Sequence, residues 1–153
     1  MILGIDPGTG IVGFAFVSGT KMNPIIIECG AITTQPRPTT ENHIRLLEIA
    51  TDLEELILKH KPAKAIVEDI FFFKNAKTVI SVAQARGVIL YLLAKHGVEI
   101  ESVTPLQVKN NLCGYGRATK DQVLQMVMRF YQLETAPKPD DVSDALGIAW
   151  LGL

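Results

Sequence analysis

The chain has 153 residues, enough for one domain with its own core, which we place over residues 1–153. Hydrophobic residues make up 48% and charged residues 20% of it, which excludes an intrinsically disordered protein. We recognise no apolar run of the ~18–20 residues that cross a membrane and no signal peptide. Because Cys29 and Cys113 lack metal-site spacing, we expect a cytoplasmic protein with reduced thiols and no membrane partner.

The net charge of −1 gives no sign of a polyanionic partner, but the charges are unevenly distributed. Residues 71–120 contain seven basic side chains and two acidic ones, whereas acidic residues dominate the rest of the chain. A basic segment of this kind is typical of a surface that binds nucleic acid. The indication is weak by itself, because Glu68, Asp69 and Asp121 adjoin the segment.

Apolar and β-branched runs in the first third predict three strands, over residues 1–6, 10–18 and 24–33. We expect these strands to form an antiparallel meander. The segment 35–38 carries two prolines and interrupts the chain. Thr39 or Thr40 can then cap a helix that runs to about residue 59, with apolar residues at helical spacing.

The rest of the chain predicts strands over residues 63–67 and 97–103, separated by a long helix over 75–95. Three helices follow, over 104–111, from 118 or 119 to 131, and over 141–151, with a glycine loop at 114–116. This order predicts an α/β domain with helices on both faces of a mixed five-stranded sheet. Because helical crossovers are right-handed, strands four and five should lie parallel beside strand one.

Acidic residues stand where these strands and the last helix meet one edge of the sheet. Asp6 ends the first strand and Glu68 follows the fourth, so both should reach the carboxyl edge, where open α/β sheets place their sites. Asp141 and Asp144 are three residues apart at the start of the last helix and share one face of it. Asp140 leaves the choice of the third acid open by one position. We expect four carboxylates to meet at this edge.

Four carboxylates at a partly buried edge would repel each other, and a pair of divalent cations removes that difficulty. Oxygen ligands with no His or Cys nearby favour Mg²⁺, with Mn²⁺ as a substitute. Two such ions roughly 3.5–4 Å apart can hold a phosphodiester and activate water against it. In the alternative, Asp6 merely starts a turn, Asp141 caps a helix and Glu68 is a solvated strand end. That alternative requires three separate segments to place acids at one edge by coincidence.

Several short motifs follow one another along nearly the whole chain: Asp6-Pro7-Gly8-Thr9, Glu68 with Phe71 and Lys74-Asn75, Gln84-Ala85-Arg86-Gly87-Val88, Gln107-Val108-Lys109, Gly114-Tyr115-Gly116-Arg117-Ala118-Thr119-Lys120 with Gln122-Val123, and Asp141-Val142-Ser143-Asp144-Ala145-Leu146. Together they resemble the RuvC family of bacterial Holliday junction resolvases. The resemblance implies a ribonuclease H-like fold and a homodimer that cuts four-way DNA junctions by paired symmetrical nicks in recombination and repair. It also implies cooperation with the branch-migration proteins RuvA and RuvB.

The resemblance assigns roles residue by residue. It implies that the catalytic, metal-binding acids are Asp6, Glu68, Asp141 and Asp144. It implies that DNA is contacted by Phe71, Phe72, Lys74, Asn75, Lys109, Arg117 and Lys120. Within this set, Lys109 and Lys120 would lie near the scissile phosphate, and Phe71, with Phe72 as second choice, would stack on a base at the opened crossover.

The residues themselves favour these uses. Phenylalanines beside a Lys-Asn pair suit stacking on unpaired bases, worth ~1–3 kcal/mol per base, although a doubly buried strand could also contain them. Lys109 and Lys120 flank a glycine loop whose backbone can approach phosphate, although both could be solvated helix residues. We expect the histidines, which stand apart from the acids in the sequence, to be solvated: His43, His60 and His96.

We considered three other functions for a chain with this sequence. The RuvC-like nucleases of ribosomal RNA maturation share the fold and the acidic edge, but the Gln-Ala-Arg-Gly and Gly-x-Gly-x-Ala-x-Lys motifs argue against them. A nucleotide-binding domain of the actin kind needs a second, similar domain that 153 residues cannot supply. A non-catalytic nucleic-acid-binding domain would not need four intact acids.

Overall fold

The computed structural model describes residues 1–34, 42–70 and 76–153. Strands and helices follow one another in the order that the sequence predicts. Their bounds are β1 (Ile2–Asp6), β2 (Ile11–Thr20), β3 (Asn23–Thr33), α1 (Asn42–His60), β4 (Lys64–Glu68), α2 (Ala76–Lys95), β5 (Glu99–Val103), α3 (Pro105–Cys113), α4 (Lys120–Phe130) and α5 (Asp140–Leu151).

The strands form one mixed sheet in the order β3-β2-β1-β4-β5. β2 is antiparallel to both β1 and β3, while β1, β4 and β5 are parallel to one another. This confirms the predicted meander and the predicted parallel half of the sheet. The register sets Ile5 opposite Val67, so the carboxyl ends of β1 and β4 lie side by side.

Side chains that alternate along the strands divide the core between the two faces of the sheet. Leu3 and Ile5 of β1 pack with residues of α1 and α2, among them Leu53 and Leu93. On the other face, Ile66 of β4 and Ala15 and Val17 of β2 pack against α3, α4 and α5. β1 and β4 are therefore covered on both faces, which explains why they read as continuous apolar runs.

Helix α5 lies directly on β1 and β2 because two glycines leave room for its backbone. A Cβ atom at Gly4 would overlap the backbone of Ala145 and Ala149, and one at Gly13 would overlap the carbonyl group of Asp141. Gly13 is the partner of Asp6 in the β1–β2 ladder. The close approach at Gly13 therefore brings the first turn of α5 next to the end of β1.

Element ends differ from the predicted bounds by a few residues. β2 continues to Thr20, because a tight two-residue turn leads straight into β3. α3 continues two residues further, to Cys113, and stops where Gly114 adopts a left-handed conformation with φ of 82°. The predicted break at 35–38 and the caps Thr39 and Thr40 lie outside the described residues. Across 1–34, 42–70 and 76–153, no helix combines the length and the apolar character that a bilayer crossing requires.

Candidate active site

A cleft of about 310 Å³ opens at the carboxyl edge of the parallel strands, beside the face that α5 covers. Asp6 at the end of β1 and Glu68 at the end of β4 form one side of it. Asp144, in the second turn of α5, completes an acidic wall. The structure thus brings together three of the four predicted acids around one open space.

Burial and mutual repulsion act strongly on these carboxyl groups. Burial, followed by the charges of Glu68, Asp144 and Asp141, raises the pKa of Asp6 from 3.8 to about 8. Burial and the charge of Asp144 raise the pKa of Glu68 from 4.5 to about 7. Burial also raises the pKa of Asp144, although Lys120 opposes that rise. The protein alone therefore does not provide enough positive charge to keep this edge ionised near neutral pH.

Of the two candidates for the third acid, Asp141 acts on more of the other acids than its neighbour Asp140 does. The charge of Asp141 raises the pKa of both Asp6 and Asp144, and its backbone is seated at Gly13. Asp140 has a side chain that is 66% exposed, and its carboxylate lies 3.3 Å from the ammonium of Lys138. Neither of the two residues lines the 310 Å³ cleft, and the charges of both raise the pKa of Asp144.

Two lysines enter the cleft from the side opposite the sheet. Lys120 is the first residue of α4, and its Nζ lies 3.5 Å from Asp144 Oδ2 although three quarters of the side chain is exposed. Lys109 extends from α3 into the cleft, and its charge lowers the pKa of Glu68. Arg117 is exposed in the loop between the two helices. A cationic rim thus faces the acidic wall.

Both helices that carry these lysines begin with a capping box, in which a threonine and a glutamine satisfy each other's backbone N–H groups. The pairs are Thr104 with Gln107 in α3, and Thr119 with Gln122 in α4. Each box fixes the first turn of its helix. The second box lies next to Lys120 and so holds this lysine at the cleft.

The sequence reasoning missed the apolar part of the cleft wall, which consists of Pro105, Val108 and Val123. Pro105 precedes Lys109 by four residues and Val123 follows Lys120 by three, so each shares a helix face with its lysine. That spacing is the signal that could have found both. The predicted DNA contacts Phe71, Phe72, Lys74 and Asn75 lie outside the described residues.

The expectation that His60 and His96 are solvated is wrong. The Nε2 atom of His60 lies 2.7 Å from the Glu28 carboxylate, and that of His96 lies 2.7 Å from the Glu54 carboxylate. Only 10% and 20% of the two histidine side chains are exposed. The sequence does not show these pairs, because each glutamate is more than thirty residues away from its histidine.

Residues 2–151 match the sequence model of the family described as crossover junction endodeoxyribonuclease RuvC. The chain belongs to the RuvC family. It is 45% identical to the crossover junction endodeoxyribonuclease RuvC of Synechococcus sp. (strain WH7803), over 99% of this chain and 96% of that protein. It is 44% identical to the RuvC of Fusobacterium nucleatum subsp. nucleatum, over 96% of this chain and 76% of that protein.

The fold agrees with that of a solved RuvC structure. T. thermophilus RuvC in complex with Holliday junction substrate superposes with a TM-score of 0.90 and 29% sequence identity, over 97% of this chain and 90% of that one. The predicted ribonuclease H-like architecture is thereby confirmed.

RuvC-family nucleases depend on divalent metal ions, and the donor set in the cleft fits such ions. Asp6, Glu68 and Asp144 offer only oxygen atoms, the ligands that hard divalent cations prefer. Cations would also remove the repulsion that raises the pKa values of these acids. Within the described parts of the chain, no three His, Cys, Asp or Glu side chains already enclose an ion position. If an ion binds beside Asp6, Glu68 and Asp144, water and a phosphate would have to complete its coordination.

Proposed function

We propose that this protein is an endonuclease that resolves four-way DNA junctions by paired symmetrical nicks in recombination and repair. The observation that carries the proposal is the meeting of Asp6, Glu68 and Asp144 with Lys120 in one cleft. It is supported by RuvC-family membership and by the structural similarity to a RuvC bound to a Holliday junction. We assign the nuclease domain of each subunit to residues 1–153, which the family match over 2–151 supports.

Two Mg²⁺ ions, which Mn²⁺ can replace, are the proposed cofactors, and the residues that would hold them are Asp6, Glu68, Asp141 and Asp144. Bound there, the ions would lower the pKa of the attacking water and stabilise the leaving oxygen. The chain's own part is to hold the acids in a half-buried edge and to screen them with Lys120. Lys109 favours the ionised form of Glu68, because its charge lowers the pKa of that acid.

The same cleft has a proposed DNA-binding rim. Lys109 and Lys120, which line the cleft beside the acids, are proposed to contact backbone phosphates, and the exposed Arg117 would extend this positive rim along the loop. Phe71, with Phe72 as second choice, is proposed to stack on a base at the opened crossover. Lys74 and Asn75 would contact the adjoining backbone.

A homodimer is proposed because α2 exposes two large side chains, Ile80 and Tyr91, on one face. Ile80 and Tyr91 are more than 60% exposed, and Gln84 and Gly87 lie between them at helical spacing. Among residues 1–34, 42–70 and 76–153, no atom beyond the adjoining residues and the helix's own backbone lies within 4 Å of where a Cβ at Gly87 would be, so a second helix could approach closely there. A two-fold dimer presents two identical sites in opposed directions, which suits paired nicks. RuvA and RuvB are the proposed partners, and the cytoplasm, where bacterial junction DNA lies, is the proposed location.

In the deciding experiment, the protein is incubated with a synthetic four-way junction, a plain duplex or a structured RNA. Each substrate is tested with Mg²⁺ and with EDTA. We expect symmetrical nicks in the junction that require Mg²⁺, with little cutting of the other two substrates. Glu68→Gln should bind the junction without cutting it. Cleavage that persists in EDTA, or equal cutting of duplex, would contradict the proposal. Preferred cutting of the RNA would indicate a nuclease of ribosomal RNA maturation instead.

A further inference from the structure

Arg86 of α2 connects the end of β4, which borders the cleft, with the end of the neighbouring strand β5. Its Nε donates a hydrogen bond to the carbonyl oxygen of Glu68 at 3.2 Å. Its Nη2 donates to Ser102 Oγ of β5 at 2.7 Å and lies 3.3 Å from Asp69 Oδ1. The Arg86 side chain is only 17% exposed, whereas that of Asp69 is 46% exposed. One guanidinium therefore bridges three residues at the catalytic edge.

The carbonyl group of Glu68 needs such a partner because the sheet ends there. The β4–β5 pairing finishes with Glu68 opposite Val103, and the last backbone bond runs from Asp69 N to the Val103 oxygen at 2.7 Å. An unpaired carbonyl group at a half-buried strand end loses its water without gaining a replacement. Arginine suits the place because its planar fork can donate in two directions at once.

Asp69 extends the same network to the turn that follows β4. Its Oδ1 atom accepts a hydrogen bond from the Ile70 N–H at 3.0 Å while it faces Arg86. The peptide after Glu68 is thus held by Val103, and the carbonyl of Glu68 is held by Arg86. With its backbone fixed in this way, Glu68 has little freedom except the rotation of its own side chain.

Arg86 reaches this point from the side of the sheet opposite the cleft. Its neighbours in α2, Ala85 and Ile89, belong to the core between the sheet and helices α1 and α2. The cleft is lined by Glu68 together with residues of β1, α3, α4 and α5, on the other side. Arg86 is consequently placed to act on the backbone of Glu68 and not on the substrate.

We propose that Arg86 is a positioning residue, which holds the end of β4 so that the Glu68 carboxylate stays directed towards Asp6. The inference rests on the proposed role of Glu68 as a metal ligand. Groups that orient metal ligands typically change metal affinity by 10–100-fold when they are replaced. Loosening the strand end should therefore weaken metal binding while leaving the DNA-binding rim intact.

The test measures Mn²⁺ binding to the DNA-free protein by electron paramagnetic resonance, for Arg86→Lys, Asp69→Asn and the unmodified chain. Arg129→Lys, an exposed change on α4, is the matched control. We expect Arg86→Lys to raise the Mn²⁺ concentration for half-saturation about tenfold and Asp69→Asn to raise it less. Junction affinity in EDTA should change less than about twofold, and saturating Mn²⁺ should restore most of the cleavage rate. A residue that merely supports the fold would lower the melting temperature and leave the half-saturating concentration unchanged.

Unchanged Mn²⁺ binding in folded Arg86→Lys would overturn the inference while leaving the proposed function standing. If Arg86→Lys does not fold, Ser102→Ala removes one of the guanidinium's partners at an exposed position, and unchanged binding in both Ser102→Ala and Asp69→Asn would equally overturn it. Glu68→Gln separates the two hypotheses. If its Mn²⁺ binding equals that of the unmodified chain, the proposed ligand role of Glu68 fails, and the role of Arg86 fails with it.

Discussion

Replacing Asp6 by Asn tests whether the acidic edge opposes folding until metal binds. Burial and the neighbouring acids raise the pKa of Asp6 from 3.8 to about 8 in the folded protein. A carboxyl group with a raised pKa destabilises the fold wherever the unfolded chain would be ionised. The penalty is therefore absent below about pH 4, grows between pH 4 and pH 8, and is complete above pH 8.

The size of the effect follows from the same pKa. At about 1.4 kcal/mol per pKa unit, the penalty approaches ~5 kcal/mol at pH 8 and is ~1–2 kcal/mol at pH 5. These are upper limits, because water and side chains relax around an ionised group. Asparagine has nearly the same shape without the charge. We expect Asp6→Asn to raise the free energy of unfolding by about 2–4 kcal/mol at pH 8 without metal, and by about 1 kcal/mol at pH 5.

The assay is urea denaturation in EDTA at both pH values, followed by melting temperatures over a Mg²⁺ titration. Asp52→Asn, an exposed change on α1, serves as the control and should alter stability by less than about 0.5 kcal/mol. Mg²⁺ should stabilise the unmodified protein and affect Asp6→Asn much less, because a ligand is missing. The reasoning is refuted if Asp6→Asn gains no stability at pH 8, or if its gain is the same at both pH values.

The remaining predictions concern metal binding, DNA contact and assembly. Because the site carboxyls have pKa values of about 7 and 8, Mg²⁺ affinity measured by calorimetry should rise as pH increases from 6 to 8, and a flat profile would count against them as ligands. Lys109→Ala and Lys120→Ala should each weaken junction binding and flatten its salt dependence by ~1 unit of slope, which titration at several salt concentrations checks. Phe71→Ala should cut a junction with a base-paired crossover slowly, and one whose crossover bases are already unpaired at nearly the normal rate. Equal slowing on both junctions would assign Phe71 to the core or the dimer interface. Sedimentation at micromolar concentration should show a dimer that Tyr91→Glu disrupts, whereas a monomer with and without DNA would refute the assembly.

The parallel half of the sheet could be predicted because its rules are local and general. An apolar run that ends in an acid identifies β1 and β4, and the handedness of helical crossovers places the two strands together. Because β1 and β4 are parallel neighbours, Asp6 and Glu68 lie at the same edge of the sheet, independently of how the other elements pack. The spacing of Asp141 and Asp144 likewise determines that they share a helix face.

The approach of α5 to that edge could not be predicted, because it depends on contacts between distant residues. Gly4 and Gly13 look like ordinary small residues in strands, and only the packed structure shows that they admit a helix backbone. Arg86 was visible in the sequence only as part of a family motif. Its three partners come from β4, the residue after it, and β5, and no spacing in the sequence connects them. Contacts of this kind can be recognised only once the fold is known.

Helix α2 has two faces with different proposed tasks, and they lie back to back. Its outer side exposes Ile80 and Tyr91, which we assign to the dimer, and its inner side carries Arg86, which holds Glu68. A rigid helix transmits displacement from one face to the other, because packed cores deform little. The position of Glu68 would therefore depend on how α2 is seated against its partner. If both proposals hold, dimer formation would do more than provide two sites for two strands, because it would also hold the helix that orients an acid in each site.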